Sequence, residues 1–267
     1  MAFPVSDELL GTFVPIAVYW LYSGLYIVLD ALGTADRYRL HPKEDEETRN
    51  IPSKRTVLKG VLLQQAVQVA VSLIVFKITG DGSRDTREQP PAPVIALQFV
   101  VAMFAMDTWQ YFVHRYLHTN KFLYKHVHAQ HHTILVPYAF GALYSHPLEG
   151  LLMDTASGAV GYLASGMTPR TAIFFISFGA IKTVDDHCGL WLPGNIFHAV
   201  FANNSAFHNI HHQLYGNKHN FSQPFFVVWD KILGTYMPFT VLSREGGGVE
   251  ARPVKHALAA HEHHKSH

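Results

Sequence analysis

The sequence predicts an all-α integral membrane protein of about four transmembrane helices, with a cytosolic helical cap that holds a histidine-rich site for two metal ions. Charged residues make up 15% of the 267 residues, well below the roughly 25% of an ordinary soluble domain. Several apolar stretches reach or approach the roughly 20 residues that a spanning helix needs. The third observation is a set of eight histidines in three closely spaced clusters.

The apolar stretches define the membrane part. Residues 12–32, 57–79 and 94–113 are nearly continuous apolar runs and are predicted to span the bilayer. Residues 151–166 and 171–181 are shorter and are separated by a proline-containing turn, so they predict either a fourth span or a re-entrant hairpin. Acidic rather than basic residues precede the first stretch, which therefore resembles an uncleaved anchor more than a signal peptide. A soluble protein with long buried helices is the alternative.

Lysine and arginine are unevenly divided between the loops after the first and second predicted spans. The second loop carries Arg84 and Arg87, whereas the first carries Arg37, Arg39, Lys43, Arg49, Lys54 and Arg55. Since cytosolic loops are enriched in these residues, the first loop is predicted to be cytosolic. The third span then ends on the cytosolic side, where all three histidine clusters are predicted to meet.

The histidine clusters read HRYLH, HAQHH and HNIHH. Residues three and four apart share one face of a helix, so each cluster can direct two or three imidazoles towards one point. Neutral imidazole is a common ligand for transition metals, and eight exceed what one tetrahedral ion uses. We therefore predict a two-metal site. Its ligands and catalytic residues are His114, His118, His128, His131, His132, His208, His211 and His212.

Two further histidines are candidate ligands. His187 lies in VDDHCGLW, where Asp185 or Asp186 could accept a hydrogen bond from its imidazole and orient it. His146, in SHPLEG, is either a ligand or a residue at a helix start. A cluster that acts as a pH switch is an alternative reading of these histidines, but such a switch does not require the same spacing twice.

Two carboxylates are expected to support the metal site. Asp107 lies inside the third predicted span, and an acidic residue within a membrane segment is a functional candidate. Its position predicts a place beside His114. Asp230, in VVWDKILGT, is either a similar anchor or a helix cap.

Composition narrows the chemistry of the site. Cys188 is the single cysteine, so thiolates cannot be the main ligands, and the formal net charge of +1 gives no reason to expect nucleic acid. Zinc has no redox chemistry, whereas iron could activate dioxygen against a lipid entering from the bilayer. The sequence lacks a dinucleotide fingerprint and a haem motif. The electrons are therefore predicted to come from NADPH or NADH through cytochrome b5 and its reductase.

The chain is predicted to form a single membrane domain over residues 1–240. Residues 241–267 are polar, contain a glycine run and five histidines, and are predicted to be a flexible tail without a catalytic role. Nothing in the sequence decides the oligomeric state, and a homodimer is left open.

The motif order HxxxH, HxxHH, HxxHH resembles that of the fatty acid hydroxylase and sterol desaturase superfamily of membrane di-iron enzymes. The strings DTWQYFVHRYLH, NKFLYKHVHAQHH, TVDDHCGLWLPGN and FHNIHHQLYGNKHNFSQPFF are similar to those of plant sphingoid base C-4 hydroxylases. The resemblance covers about residues 5 to 240.

This resemblance implies an endoplasmic reticulum enzyme that hydroxylates sphinganine, free or in ceramide, at C-4. Two iron ions would be bound by the eight clustered histidines, together with His187 and His146. Plant very-long-chain aldehyde decarbonylases share the motif order and are the first alternative, although they typically carry a longer C-terminal region. A membrane metal-binding protein without enzymatic activity is the second alternative.

Overall fold

The computed structural model describes residues 6–79 and 87–254. The chain is mostly helical within these ranges. In chain order the helices are α1 (Asp7–Ala31), α2 (Asp45–Thr48), α3 (Lys54–Thr79), α4 (Ala92–Thr119), α5 (Lys121–Leu123), α6 (Pro147–Gly150), α7 (Ser157–Ser165), α8 (Pro169–Asp186), α9 (Ile196–Val200), α10 (Ser205–His212) and α11 (Val228–Ile232), and the strands are β1 (Phe239–Ser243) and β2 (Val249–Pro253).

Three of these helices, α1, α3 and α4, are long and apolar enough to cross a membrane. They confirm the three predicted spans. Large apolar side chains on them point away from the protein, among them Leu21 on α1, Leu63 on α3 and Leu97 on α4, which are 76%, 57% and 63% exposed. In water such a surface would be costly, whereas in a bilayer it is the favourable lipid-facing surface.

The fourth apolar pair forms a helical hairpin against these spans. A π-helical stretch, Leu151–Ala156, leads into α7, and the chain reverses at Gly166, whose φ of 63° places it in the left-handed region. Thr168 caps α8 by accepting a hydrogen bond from the backbone N–H of Thr171. α7 packs along α4, and α8 packs along α1, so the hairpin connects the spans to the cap.

The cap comprises the segments after α4 and after α8, and α10 lies at its centre. All eight residues of α10 are buried. Arg39, in the loop after α1, forms an isolated β-bridge with Leu190 and ion pairs with Asp30, Asp36 and Glu46. The loop between the first two spans is therefore fixed against the cap.

The C-terminal segment differs from the predicted tail that begins at residue 241. β1 and β2 pair antiparallel with Val241 opposite Ala251, and Ala251 packs in a core cluster that contains Ile210 of α10. The run of glycines 246–248 has positive φ at each residue and forms the turn of this hairpin. The tail histidines His256, His261, His263, His264 and His267 lie outside the described residues.

Candidate metal centre

Five buried or nearly buried histidines converge in a first cluster, here called cluster A. Its members are His114, His118, His128, His132 and His211. Their Nε2 atoms lie close together: His128 and His118 are 2.7 Å apart, His132 is 3.0 Å from each of these two, and His114 is 3.1 Å from both His128 and His211. Segments far apart in sequence therefore place five imidazole nitrogens around one point.

Four more histidines form cluster B, which comprises His131, His187, His208 and His212. The Nε2 atom of His208 lies 2.9 Å from that of His187 and 3.0 Å from that of His212, and His187 and His131 are 3.4 Å apart. All four side chains are buried. The two clusters are adjacent, since the ring centroids of His132 and His212 are 5.0 Å apart.

Each HxxHH motif is divided between the clusters, which differs from the prediction that its three imidazoles face one point. His128 and His132 belong to cluster A while His131 belongs to cluster B; His208 and His212 belong to cluster B while His211 belongs to cluster A. On a regular helix, the first and fifth residues of the motif lie on nearly the same face. The fourth residue is rotated by about 100° from the fifth and therefore points in a different direction. The same spacing therefore serves two neighbouring sites, in opposite senses in the two motifs.

Local backbone structure differs between the motifs. α4 continues the third span to Thr119 and carries His114 and His118, as predicted. α10 carries the third motif on a regular helix whose N-cap, Asn204, accepts from the backbone N–H of Phe207. The second motif begins at the end of a π-helical stretch, Tyr124–His128, and ends in a 3₁₀ turn, so it is not on a regular α-helix.

Hydrogen bonds donated by Nδ1 orient most of these rings. His128 lies 2.9 Å from a carboxylate oxygen of the buried Glu149. Five other rings donate to backbone carbonyls: His114 to Phe221, His131 to Tyr144, His187 to Thr183, His211 to His219 and His212 to Ile134. A proton on Nδ1 leaves Nε2 with a lone pair directed into the cluster. His132 is an exception, since its Nδ1 is buried without a partner among the described residues.

A cation fits this donor set. Neutral imidazoles with Nδ1–H present lone pairs to one another at Nε2, so separations near 3 Å are repulsive without a positive charge between them. For a metal–nitrogen bond of about 2.1 Å, ligands at right angles lie about 3.0 Å apart and ligands at tetrahedral angles about 3.4 Å. Cluster A, with five donors at 2.7–3.2 Å for the pairs that approach most closely, exceeds the four-ligand arrangement of structural zinc.

Burial keeps the rings neutral in the metal-free protein. It lowers the pKa of His128 to about 3 and that of His131 to about 4, because desolvation disfavours the imidazolium form. The pKa of His187 is lowered to about 3, first by burial and then by the neighbouring His131. The neutral form is the one that binds a metal.

Three predicted contacts are absent from the described residues. His146 belongs to neither cluster; it is the N-cap of α6 and its Nδ1 accepts from the backbone N–H of Leu148. This corresponds to the helix-start reading and contradicts its assignment as a ligand. His187 donates to the Thr183 carbonyl rather than to Asp185 or Asp186, because its position at the end of α8 directs Nδ1 back along the helix.

Asp107 does not contact His114 either. Its carboxylate accepts hydrogen bonds from the backbone N–H groups of Phe225, at 3.2 Å, and Phe226, at 2.5 Å. Asp230 accepts from the backbone N–H of Phe221, whose carbonyl in turn accepts from His114. Both carboxylates therefore fix residues 221–226, and Asp230 supports His114 through one residue of this segment.

Sequence reasoning missed Glu149 and the pair Lys182–Asp186. Glu149 is an acidic residue at the edge of the fourth apolar stretch, a position that could have marked it as a partner for a histidine. Lys182 is fully buried on α8, lies 2.5 Å from Asp186 and donates to the backbone carbonyl of Asn203. This pair ties the helix that precedes His187 to the segment that precedes α10.

The sequence model of a family described as Fatty acid hydroxylase matches residues 99–235. The three histidine motifs and His187 all lie within this range. The chain belongs to the fatty acid hydroxylase family. Members of this family depend on iron, and both histidine clusters could bind a metal.

Curated relatives extend the similarity of this fatty acid hydroxylase to nearly the full chain. It is 63% identical over 256 residues to sphinganine C4-monooxygenase 2 of Arabidopsis thaliana, covering 96% of this chain and 98% of that protein. It is 42% identical to the sphingolipid C4-hydroxylase sur2 of Schizosaccharomyces pombe over 88% of this chain and 89% of that protein. No solved structure matches.

A third relative bears the name of the alternative activity. This fatty acid hydroxylase is 58% identical to the very-long-chain aldehyde decarbonylase GL1-9 of Oryza sativa subsp. japonica, covering 94% of this chain and 97% of that protein. A protein of that name therefore has nearly the same extent as this chain. The length of the C-terminal region thus does not separate the two activities.

Proposed function

We propose that this chain is a sphinganine C4-monooxygenase, which uses dioxygen and two electrons to hydroxylate a long-chain base at C-4 and form phytosphingosine. The observation that carries the proposal is the convergence of nine imidazoles in two adjacent clusters, with His114 and His118 at the end of the membrane-spanning helix α4. The relatives named as sphinganine C4-monooxygenases, at 63–64% identity, support this substrate.

In the proposed site, one iron ion is bound by cluster A and a second by cluster B. Iron bound there would supply the activation of dioxygen and the insertion of one oxygen atom into a C–H bond. The protein contributes ligand orientation through the Nδ1 hydrogen bonds, which keep each Nε2 lone pair directed inwards. His146 is not included among the proposed ligands.

A lipid would reach this site from the membrane region. A cavity of about 110 Å³ lies among α1, α4 and α8 and has apolar lining residues such as Ile16, Met106 and Ile176. A smaller cavity of about 40 Å³ is lined by His114, His128 and other ligands of both clusters. An alkyl chain held in the first cavity would fix which carbon lies against the second.

The source of electrons and the cellular location are parts of the same proposal. We propose that cytochrome b5 and its NADPH- or NADH-dependent reductase supply the electrons, since the sequence contains no nucleotide-binding fingerprint. The charge distribution of the loops supports a membrane orientation with the clusters on the cytosolic side, and the similarity to sphinganine C4-monooxygenases supports an endoplasmic reticulum membrane. A homodimer stays a prediction, which the mass of the purified protein in detergent would test.

Aldehyde decarbonylation is the second candidate function, because one full-length relative at 58% identity carries that name. Expression in cells that lack their own sphingoid C-4 hydroxylase separates the two. We expect trihydroxy long-chain bases to appear and no new alkanes, and the product to vanish in His131→Ala. New alkanes without trihydroxy bases would replace the proposal by the alternative.

The same samples distinguish the oxygenase from a metal-binding protein without enzymatic activity. Zinc as the sole bound metal, together with no product after iron loading and addition of a reductase system, would favour that function. Iron bound at about two ions per chain, with product formation, supports the oxygenase.

A further inference from the structure

The cavity among the membrane helices and the cavity at the histidines adjoin each other. Gln110, Leu143, Asp154 and Thr183 line both of them. A molecule that reaches the metal clusters through the larger cavity therefore passes these four side chains. Asp154 is the one carboxylate among them.

Asp154 is hydrogen-bonded to a neutral polar side chain and, among the described residues, not to a charged one. One of its carboxylate oxygens accepts a hydrogen bond from the Nε2 amide of Gln68 on α3, at 3.0 Å. Within residues 6–79 and 87–254 it forms no ion pair with a lysine, arginine or histidine. Its neighbour Glu149 is already used by His128.

A carboxylate in this partly buried position lacks the cationic partner that usually compensates such a charge. Acidic side chains within the membrane part of a protein are costly and mark binding sites or ion pathways. A partly buried carboxylate without a cation is stabilised when a positively charged ligand group reaches it. The cavity beside Asp154 is also lined by the apolar residues Pro15 and Ile16 of α1, so that ligand would combine a cation with an alkyl chain.

The chemistry of the proposed substrate matches this requirement. A free long-chain base carries a primary ammonium at C-2, two carbon–carbon bonds of about 1.5 Å each from C-4. A side chain that binds the ammonium at about 2.8 Å therefore also holds C-4 within a few ångströms of that side chain. Asp154 satisfies this condition because it also lines the cavity formed by His114, His128, His131 and His187.

We propose that Asp154 binds the ammonium group of a free long-chain base and thereby presents C-4 to the metal clusters, with Gln68 holding the carboxylate in place. The inference rests on the proposed function and adds a substrate-binding residue and a preference for the free base over its N-acylated form. An amide nitrogen carries no charge and gains less from the carboxylate. A long-chain aldehyde has no nitrogen at this place.

Binding and turnover of the purified full-length protein test this assignment. The substrates are sphinganine and N-acetylsphinganine, compared for wild type, Asp154→Asn and the control Asp36→Asn, which alters a carboxylate that is 51% exposed. We expect Asp154→Asn to raise the KM for sphinganine about ten- to a hundredfold and to abolish the preference over N-acetylsphinganine. The iron content of Asp154→Asn should equal that of wild type. The control variant Asp36→Asn should keep the wild-type KM and substrate preference.

Two further variants keep the test decisive if Asp154→Asn folds poorly. Asp154→Glu retains the charge and should retain the preference for the free amine, with more product hydroxylated at carbons next to C-4. Gln68→Leu should raise the KM severalfold and keep the preference. Thermal stabilisation of the protein by sphinganine, measured without reductant, should weaken in Asp154→Asn and not in Asp36→Asn.

The outcomes separate this inference from the proposed function. Wild-type protein that forms phytosphingosine, with an Asp154→Asn variant of unchanged KM and unchanged substrate preference, overturns the role of Asp154 alone. Equal stabilisation of the wild type by sphinganine and by N-acetylsphinganine also overturns it. Wild-type protein with bound iron that forms no phytosphingosine from either substrate overturns the proposed function instead.

Discussion

The carboxylate of Glu149 lies 2.9 Å from Nδ1 of His128, and both side chains are buried. A carboxylate on the far side of an imidazole fixes its tautomer and raises its basicity as a ligand. His128 is also central to cluster A, since its Nε2 atom lies within 3.1 Å of those of His114, His118 and His132. Glu149 therefore controls the orientation of a ring that contacts three others.

Replacing Glu149 by Ala is expected to weaken iron binding and activity about 10- to 100-fold, because His128 loses its orienting acceptor. Glu149→Gln should have a smaller effect, since the amide oxygen can still accept from Nδ1. Iron per chain in a titration against a chelator is the measurement. Equal iron affinity in Glu149→Ala and wild type would contradict the role of this hydrogen bond.

Alanine substitutions of His187 and His146 compare a proposed metal ligand with a histidine that lies outside both clusters. His187→Ala should abolish activity and lower bound iron as strongly as His208→Ala, since His187 lies 2.9 Å from His208 in cluster B. His146→Ala should keep iron content and activity within about twofold and lose about 0.5–2 kcal/mol of stability, because His146 acts as a helix cap. Metal analysis of both purified variants decides this, and iron loss in His146→Ala would restore it as a ligand.

Asp107 is expected to act on stability through the segment 221–226. Asp107→Ala removes the acceptor of a buried backbone N–H at Phe225 and a partly buried one at Phe226, and should cost about 1–3 kcal/mol or more. The melting temperature in detergent is the measurement, with Leu97→Ala as a control on α4 at a side chain that is 63% exposed. An unchanged melting temperature would show that this segment is held by other contacts.

Acidification should destabilise the metal-free protein. The folded state binds protons at His128 and His131 only near pH 3 and pH 4, whereas in the unfolded chain these groups titrate near 6.5. The unfolded state therefore binds more protons between about pH 6.5 and pH 4, and stability falls as the pH falls through this window. Melting temperatures of chelator-treated protein at pH 7.5, 6 and 5 test this, and a flat profile would contradict it.

Gly216 is expected to be intolerant of a side chain. A Cβ atom at this position would overlap the backbone carbonyl of Ile210 in α10, which cannot move without displacing His211 and His212. Gly216→Ala should therefore lower both melting temperature and iron content. Gly24→Ala is the control, because a Cβ there meets nothing within 4 Å, and equal behaviour of the two variants would refute the prediction.

The sequence by itself determined the apolar spans, the convergence of the three motifs and the identity of the eight clustered histidines. These follow from local quantities: the length of apolar runs, the charge of loops and the spacing of residues along a helix. His187 was also found as a candidate, because a lone histidine beside two acidic residues follows an apolar stretch. The hairpin of β1 and β2 was missed, since its glycine turn resembles the start of a polar tail.

Tertiary structure decided how the histidines are divided between the two clusters. His131 and His132 are neighbours in sequence, yet they lie in different clusters, because adjacent residues point in different directions and each cluster is completed by residues from distant segments. Tertiary structure also excluded His146, assigned Glu149 to His128 and placed Asp154 between the two cavities. Such partners are set by packing between elements, and local spacing carries no information about them.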